Sequence, residues 1–159
     1  MNNKALFLDR DGVINIEKNY VYQIKDFDFI EGIFELCRKF QSKGYLIFIV
    51  TNQAGIAREY YIIDDFNILT SWMLKEFEKH GSIISNVYYC PHNPDFNGKC
   101  LCRKPNTKMV SDAKNEFNLD LKQSILIGDK LSDIECGKNA GIGTNILIEM
   151  NHLNLDFLI

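Results

Sequence analysis

Two aspartates stand two positions apart where a short apolar run ends. Ala5 to Leu8 is apolar, Asp9 and Asp11 follow it, and Gly12 permits a sharp turn directly afterwards. Carboxylates this close repel each other unless a cation lies between them, and magnesium binds through one or two carboxylates plus substrate phosphate oxygens. A carboxylate can also attack phosphorus covalently and split a hydrolysis into two easier steps. The pair therefore indicates phosphate chemistry, although an isolated Asp-x-Asp is more often a solvated turn.

Polar residues also end two later apolar runs. Thr51 and Asn52 end the run that begins at Tyr45, and Asp129 ends the run that begins at Ser124. Apolar runs alternate with helical patterns along the chain, which predicts an α/β fold with a Rossmann-like parallel sheet and helices on both faces. Ligands of such sheets bind outside the carboxyl ends of the strands. We therefore expect the two aspartates to converge with Thr51, Asn52 and Asp129 on one edge.

The spacing of apolar residues places the individual elements. The predicted strands are 5–8, 45–50, 84–89, 124–127 and 145–148. Helical stripes are formed by Ile33, Leu36, Cys37 and Phe40, by Phe66, Leu69, Met73 and Phe77, and by Met109, Ala113 and Phe117, and a further short helix ends near Ala140. Asp64 is a candidate N-cap for the second of these helices. Residues 91–105 show no periodicity and are predicted to form a structured loop.

A second cluster of reactive side chains lies in that aperiodic segment. Cys90, His92, Cys100 and Cys102 fall within thirteen positions. Zinc takes four such ligands tetrahedrally, and a closed set of four is typical of structural sites. A surface loop with unrelated thiols and a redox role for the last two cysteines are the alternatives. Zinc would order loop 90–105, which cannot gain order by packing, and would hold the residues that follow the last ligand.

Length and charge limit the function classes. The chain has 159 residues, 46% of them hydrophobic, and a net charge of −3, which predicts a single domain over 1–159. The acidic balance argues against a nucleic-acid partner, and no apolar run reaches the length of a membrane span. The first residues lack the features of a signal peptide, so a reducing, cytoplasmic setting is expected. We also expect a monomer.

Four short motifs resemble those of the haloacid dehalogenase superfamily of phosphatases. Leu8 to Asn15 is similar to the first motif and Thr51-Asn52-Gln53 to the second. Arg103-Lys104-Pro105 is similar to the third, and Gly128 to Asp133 to the fourth. All four occur in the order typical of the superfamily, and the resemblance covers nearly the whole chain. No segment is long enough for a separate cap domain, so a capless fold with an open active site is expected.

The resemblance implies a role for each motif. Asp9 would be the nucleophile, and Asp11 would protonate the leaving oxygen and then activate water. Magnesium would be bound by Asp9, Asp129 and the backbone carbonyl of Asp11. The transferring phosphoryl group would be held by Thr51, Asn52 and Lys104. Asp133 has two equally weighted interpretations: a water-mediated metal ligand or orienter of Lys104, and a carboxylate favoured by the N-terminal end of a helix dipole.

The zinc loop narrows the resemblance to the heptose 1,7-bisphosphate phosphatases and the related histidinol phosphatases. This implies a phosphorylated sugar substrate, the removal of the 7-phosphate of D-glycero-D-manno-heptose 1,7-bisphosphate, and a place in lipopolysaccharide or surface-glycan synthesis. Candidates for contacting that substrate are Glu17, Tyr20, Gln53, Arg103 and Lys130. Arg103 suits a second phosphate because its planar guanidinium binds in two directions. The alternatives are histidinol-phosphate phosphatase, a phosphotransferase, and a zinc-stabilised binding module without catalysis.

Overall fold

The computed structural model describes residues 2–159, and its centre is one parallel sheet. The strands are β1 (Lys4–Leu8), β2 (Tyr45–Asn52), β3 (Ile84–Cys90), β4 (Ile125–Gly128) and β5 (Thr144–Leu147). Their order across the sheet is β3-β2-β1-β4-β5. Leu8 at the end of β1 pairs with Ile49 of β2 on one side and with Ile127 of β4 on the other. The chain continues from β1 to β2 and β3 on one side and then crosses back to β4 and β5 on the other, and this reversal of strand order opens a crevice at the carboxyl end of β1.

Helices cover both faces of this sheet. They are α1 (Ile33–Ser42), α2 (Ile63–Lys79), α3 (Pro94–Asn97), α4 (Lys108–Phe117), α5 (Leu131–Ala140) and α6 (Leu155–Leu158). Leu6 and Leu8 of β1 pack into one apolar layer with α1 and α2, whereas Ala5 and Phe7 pack into a second layer with α4 and α5. This division follows from the alternation of side chains along a strand. The predicted α/β fold with helices on both faces is confirmed.

Most predicted elements are confirmed within one or two residues, and one detail is wrong. Asp64 does not cap α2, because that helix begins at Ile63 and Asp64 lies in its first turn. Asp65 makes the contact at this end, since its Oδ2 accepts a hydrogen bond of 3.0 Å from the backbone N–H of Ile62. The aperiodic segment is also more regular than expected, because it contains the four-residue helix α3. Cys37 and Cys136 are free, buried thiols.

The sheet brings the predicted polar residues to one edge. Asp9 follows β1 directly, Thr51 and Asn52 are the last residues of β2, and Asp129 follows β4. Because β1 is hydrogen-bonded to both β2 and β4, these three strand ends are neighbours. Among residues 2–159 no helix is both long and apolar enough to cross a membrane.

Candidate active site

Asp9 is buried at the end of β1, where Lys104 reaches it from a distant part of the chain. The ammonium Nζ of Lys104 lies 2.9 Å from Asp9 Oδ1 and 2.6 Å from Asp133 Oδ1, and it donates a third hydrogen bond of 2.9 Å to the carbonyl of Val50. All three ammonium protons are therefore directed by protein groups. Burial opposes the charge of Lys104, but the carboxylates of Asp9 and Asp133 raise its pKa above its usual range.

Asp133 contacts both the ammonium of Lys104 and the start of α5. Its Oδ1 pairs with Lys104, and its Oδ2 accepts a hydrogen bond of 3.1 Å from the backbone N–H of Lys130 at the start of α5. The close approach needs a glycine at position 128, because a Cβ there would lie 2.3 Å from the Cβ of Asp133. The carboxylate therefore caps a helix and orients Lys104 at the same time.

Asp129 supplies an acidic group that the protein itself does not satisfy. Both of its carboxylate oxygens are buried, and neither has a hydrogen-bond partner within residues 2–159. Gly12 permits this position, since its φ is +91° and a Cβ there would lie 2.3 Å from Asp129 Oδ2. Burial, with Asp133 adding to it, raises the pKa of Asp129. A buried carboxylate without partners is costly unless a cation or a proton compensates it.

The residues around Asp129 fit a divalent cation. Asp9, Asp129 and Asp133 each place a carboxylate oxygen within 4.8 Å of the others. Burial and the neighbouring carboxylates of Asp133 and Asp129 together outweigh the Lys104 ammonium and raise the pKa of Asp9 to about 8. This excess of negative charge is what magnesium requires, because it binds through hard carboxylate oxygens.

Asp11 lies beside Asp9 in a different environment. Its Oδ1 is 3.0 Å from Arg10 Nη2 and 3.0 Å from Asn15 Nδ2, and its Oδ2 is 3.2 Å from Gln53 Nε2. Burial would raise the pKa of Asp11, but the Arg10 guanidinium and these hydrogen bonds outweigh burial and hold the pKa below its usual range. Asp11 is thus an ionised carboxylate whose two oxygens are both oriented by the protein.

Arg10 is a site residue that the sequence reasoning missed. Its side chain is buried, donates a hydrogen bond of 2.7 Å to the carbonyl of Val21, and packs its guanidinium over the rings of Phe27 and Phe66. An arginine between two site aspartates gives no sign in sequence of whether it points inward or to solvent. The burial of its charge beside Asp11 is decided by packing.

The polar side chains at the end of β2 form hydrogen bonds with other parts of the protein. Thr51 Oγ1 accepts a hydrogen bond of 2.9 Å from Gln53 Nε2. Asn52 binds the backbone of Lys104, because its Oδ1 accepts from the Lys104 N–H at 3.0 Å and its Nδ2 donates to the Lys104 carbonyl at 3.4 Å. Asn52 therefore fastens the segment that carries Lys104 to the end of β2.

A cavity of 420 Å³ lies above the carboxyl edge of the sheet. The predicted site residues that line it are Asp9, Asp11, Glu17, Tyr20, Asn52, Gln53, Arg103, Lys104 and Lys130. Asn19 and Tyr20 have φ angles of 60° and 61°, a conformation that non-glycine residues adopt only when their surroundings impose it.

Asn151 is a second residue that the sequence reasoning missed. Its side-chain Oδ1 accepts a hydrogen bond of 2.8 Å from the backbone N–H of Glu17, and its own N–H donates to the carbonyl of Gly12 at 2.9 Å. It thereby joins the segment after β5 to the loop that carries Glu17. It belongs to no motif, so no pattern in the sequence indicated this contact.

The cysteine and histidine side chains of the zinc loop come together as predicted. Cys90 Sγ is 3.7 Å from Cys100 Sγ and 3.5 Å from His92 Nδ1. Cys102 Sγ is 3.2 Å from His92 Nδ1 and 3.8 Å from Cys100 Sγ. Zinc–sulfur bonds of about 2.3 Å in a tetrahedron place two sulfurs about 3.8 Å apart, so the cluster fits a tetrahedral ion.

The zinc loop is connected to the cavity through Arg103. The backbone N–H of Arg103 points to Cys100 Sγ at 3.4 Å, and its Nη1 donates to the carbonyl of His92 at 3.4 Å. The next residue is Lys104, which pairs with Asp9. The position of the cysteine–histidine cluster and the position of the buried ammonium are therefore linked by two consecutive residues.

Comparison with known proteins identifies the family. A HAD-hydrolase-like family model matches residues 101–149. The chain is 57% identical over 157 residues to a D-glycero-alpha-D-manno-heptose-1,7-bisphosphate 7-phosphatase of Campylobacter jejuni, with 99% of this chain and 89% of the relative covered. It is 46% identical to a D-glycero-beta-D-manno-heptose-1,7-bisphosphate 7-phosphatase of Haemophilus ducreyi, with 93% and 84% covered.

A solved structure agrees with these relatives. The D,D-heptose 1,7-bisphosphate phosphatase of B. bronchiseptica, crystallised with magnesium and phosphate, superposes with a TM-score of 0.81 at 27% identity and covers 89% of this chain and 78% of that one. The sequence identity, the shared fold and the acidic site at the strand ends agree with one another. The chain belongs to the D-glycero-D-manno-heptose-1,7-bisphosphate 7-phosphatase family of HAD-like hydrolases.

Proposed function

We propose that the chain is a magnesium-dependent phosphatase that removes the 7-phosphate of D-glycero-D-manno-heptose 1,7-bisphosphate through an aspartyl-phosphate on Asp9. The observation that carries the proposal is the contact of 2.9 Å between Asp9 and the buried ammonium of Lys104, beside the unpartnered carboxylate of Asp129. The nucleophile Asp9, the Lys104 ammonium that would face the phosphoryl group, and the magnesium site at Asp129 then lie together. Relatives bearing this activity in their names support the substrate.

In the first step an Asp9 carboxylate oxygen attacks phosphorus, and the bond from phosphorus to the C7 oxygen of the sugar breaks. Asp11 donates a proton to that leaving oxygen, so the sugar departs as an alcohol. The pKa of Asp11 is low in the free protein, and a negatively charged phosphoryl group nearby raises the pKa of a carboxyl. Binding of the substrate therefore favours the protonated form that this step needs.

In the second step Asp11 accepts a proton from water, and the water oxygen attacks the phosphorus of the aspartyl-phosphate. The bond between phosphorus and Asp9 breaks, which releases inorganic phosphate and restores the carboxylate. Lys104 keeps its charge throughout and offsets the charge that develops on the phosphoryl oxygens. Thr51 and Asn52 complete the end of β2 against which that group would lie.

Magnesium would be held by Asp9, Asp129 and the backbone carbonyl of Asp11. When bound it would neutralise the phosphoryl oxygens and orient them toward Asp9. Zinc would be held by the sulfurs of Cys90, Cys100 and Cys102 and by His92 Nδ1, and its role would be structural. Both assignments rest on the donor sets: hard oxygens for magnesium, and sulfur with imidazole for zinc.

The residues around the cavity mouth are the proposed contacts for the rest of the sugar phosphate. Arg103 and Lys130 carry the positive charge for its second phosphate, while Glu17 and Tyr20 face the sugar from the opposite loop. Gln53 lines the same cavity and is a further proposed contact. A function in nucleotide-activated heptose synthesis for lipopolysaccharide or another surface glycan follows if this substrate is correct.

Phosphate release tests the proposal. Both anomers of the heptose bisphosphate, and histidinol phosphate as the competing substrate, are incubated with the protein and magnesium. We expect release from a heptose bisphosphate and little from histidinol phosphate. Turnover of histidinol phosphate alone would refute the substrate assignment, and transfer of phosphate to an acceptor without release would indicate a phosphotransferase.

The nucleophile is tested by Asp9→Asn, with Asp112→Asn as a matched control on the exposed surface of α4. Asp9→Asn should lower kcat to background, because an amide cannot form the phosphoenzyme. Asp112→Asn should leave turnover unchanged, since within residues 2–159 the ion pair of its carboxylate is with the exposed Lys108 alone. If Asp9→Asn retained wild-type turnover, the assignment of Asp9 would be wrong.

A further inference from the structure

Tyr61 lies beneath the cavity in the connection between β2 and α2, outside every motif of the site. Tyr61 is only 5% exposed, and its ring stacks on that of Tyr22 with centroids 5.2 Å apart and planes 6° from parallel. Gly55 makes room for it, because a Cβ at position 55 would lie 2.3 Å from Tyr61 Cε1. The phenol is therefore held in one place by the packing around it.

The hydroxyl of Tyr61 donates a hydrogen bond to Gln53 Oε1. The amide nitrogen of Gln53 in turn donates to Asp11 Oδ2 at 3.2 Å and to Thr51 Oγ1 at 2.9 Å. Every polar atom of this buried amide is thus engaged by protein groups. Burial raises the pKa of Tyr61 above its usual range, so the phenol stays protonated and remains a donor.

This chain of contacts has a fixed direction. An ionised carboxylate only accepts hydrogen bonds, so the NH2 of Gln53 must face Asp11 and its carbonyl must face Tyr61. The hydrogen bond from the Tyr61 hydroxyl stabilises that orientation and leaves the Gln53 amide no other low-energy arrangement. Removing the hydroxyl would leave a buried carbonyl without a partner and would free the amide to rotate.

We propose that Tyr61 is a positioning residue for proton transfer, acting through Gln53 to orient the carboxylate of Asp11. The proposal rests on the proposed function, because it assumes that Asp11 moves the protons. Arg10 and Asn15 hold only Oδ1 of Asp11, whereas Gln53 alone among residues 2–159 holds Oδ2 with a side chain. Of the two carboxylate oxygens of Asp11, loss of the Tyr61 hydroxyl therefore disturbs Oδ2 and leaves the contacts of Oδ1 in place.

A competing role for Tyr61 is direct contact with the sugar, since it also lines the cavity. The two roles differ after the sugar has left. Hydrolysis of the aspartyl-phosphate still needs Asp11 as a base but no longer involves the sugar. A substrate contact would therefore not affect the decay of the phosphoenzyme, and a positioning residue would.

The test measures that decay after phosphorylation of the magnesium-loaded protein by ³²P-labelled p-nitrophenyl phosphate, whose leaving group needs no proton. Tyr61→Phe keeps the stacked ring and removes only the hydroxyl. We expect the phosphoenzyme to decay about tenfold more slowly, a part of the 10²–10⁴-fold that general acid–base catalysis typically contributes. Its rate of formation should be unchanged. Tyr45→Phe, the same substitution at the opposite end of β2, should change neither rate.

A double-mutant cycle with Gln53→Ala supplies the second measurement. If Tyr61 acts through Gln53, Tyr61→Phe should slow the decay no further in the Gln53→Ala background. Equal slowing in both backgrounds, or wild-type decay in Tyr61→Phe, would overturn the proposal. Failure of the wild-type protein to form a phosphoenzyme would instead refute the proposed function, so the two failures are distinguishable.

Discussion

Lys104 is the residue that balances the buried charges of the site. Its ammonium lies between Asp9 and Asp133, at 2.9 Å and 2.6 Å, and all three side chains are buried. A buried ion pair adds little stability beyond an apolar equivalent, but removing one partner leaves an uncompensated charge. The arrangement therefore makes position 104 sensitive to substitution in both folding and chemistry.

We expect Lys104→Met to abolish turnover and to lower the free energy of unfolding by about 3–5 kcal/mol, the usual cost of breaking a buried pair. Urea unfolding in magnesium-free buffer measures the stability, and phosphate release measures the activity. Lys108→Met is the control, because Lys108 forms an exposed pair with Asp112, and it should change neither measurement. Wild-type stability of Lys104→Met would contradict the burial of this charge.

Asp9 and Asp11 are two neighbouring carboxylates with opposite electrostatic surroundings. Burial and two further carboxylates raise the pKa of Asp9, while Arg10 and three hydrogen bonds overcome burial and lower the pKa of Asp11. Surroundings that shift the pKa values of neighbouring titratable groups in opposite directions are typical of sites where those groups have different roles. In the proposed mechanism a bound cation would therefore favour the ionised Asp9 that attacks phosphorus, whereas Asp11 is ionised in the free protein and could accept a proton.

At the scale of elements, the zinc loop (residues 90–105) joins the edge strand β3 to the buried lysine. It begins with Cys90, the last residue of β3, and its last cysteine, Cys102, directly precedes Arg103 and Lys104. Apart from the short helix α3 it has no regular structure. A metal ion would supply the order that secondary structure and packing do not.

We expect purified protein to contain about one zinc ion per chain, because four ligands close a single tetrahedral site. Cys100→Ser should lose most of that zinc, lower the Tm and lower kcat/KM, since Arg103 and Lys104 depend on the loop. Metal analysis by mass spectrometry, a thermal melt and the phosphate-release assay check the three effects. Cys37→Ala, a buried thiol in α1 away from the loop, should keep its zinc. A zinc-free wild-type protein with full activity would contradict this role.

At the scale of the whole molecule, the two faces of one sheet contribute side chains to two separate apolar layers. Phe48 of β2 lies in the layer with α4, where it packs on Phe7 and Phe117 at centroid distances of 5.5 Å and 4.9 Å. Trp72 of α2 packs against the opposite layer. Because both layers are built on the same strands, we expect them to lose their structure together.

Unfolding of the zinc-loaded protein in urea should therefore be one cooperative transition, as predicted for a single domain over 1–159. Fluorescence of Trp72, the single tryptophan, and far-UV circular dichroism should give coincident curves. Phe48→Ala should lower the free energy of unfolding by about 3–5 kcal/mol and by the same amount in both curves, although Phe48 lies in the layer without Trp72. Phe157→Ala, an exposed residue of α6, should shift neither. Separate transitions would indicate two folding units.

The order of strands and helices could be read from the sequence because it depends on periodic burial. The continuous apolar run of β1 and the helical stripe of α1 are local patterns, so the existence and approximate ends of both elements were predictable. The start of α2 was not, since Asp64 and Asp65 are equally good candidates by type. Only the backbone geometry decides that Asp65 binds the N–H of Ile62.

The sequence by itself determined which chemistry the protein carries. Asp9, Asp11, Thr51 and Asp129 follow apolar runs, and the carboxyl ends of parallel strands meet at one edge, so residue type and position were sufficient to predict an acidic site there. The cysteine and histidine side chains that cluster in one loop were likewise recognisable by type. The tertiary structure decided how these groups are held. Tyr61 contacts Gln53, Arg10 turns inward to Asp11, and Asn151 joins Glu17 to Gly12 because packing brings separate segments together. Such contacts leave no periodic signal in the chain, since they depend on side-chain direction and close approach rather than on spacing.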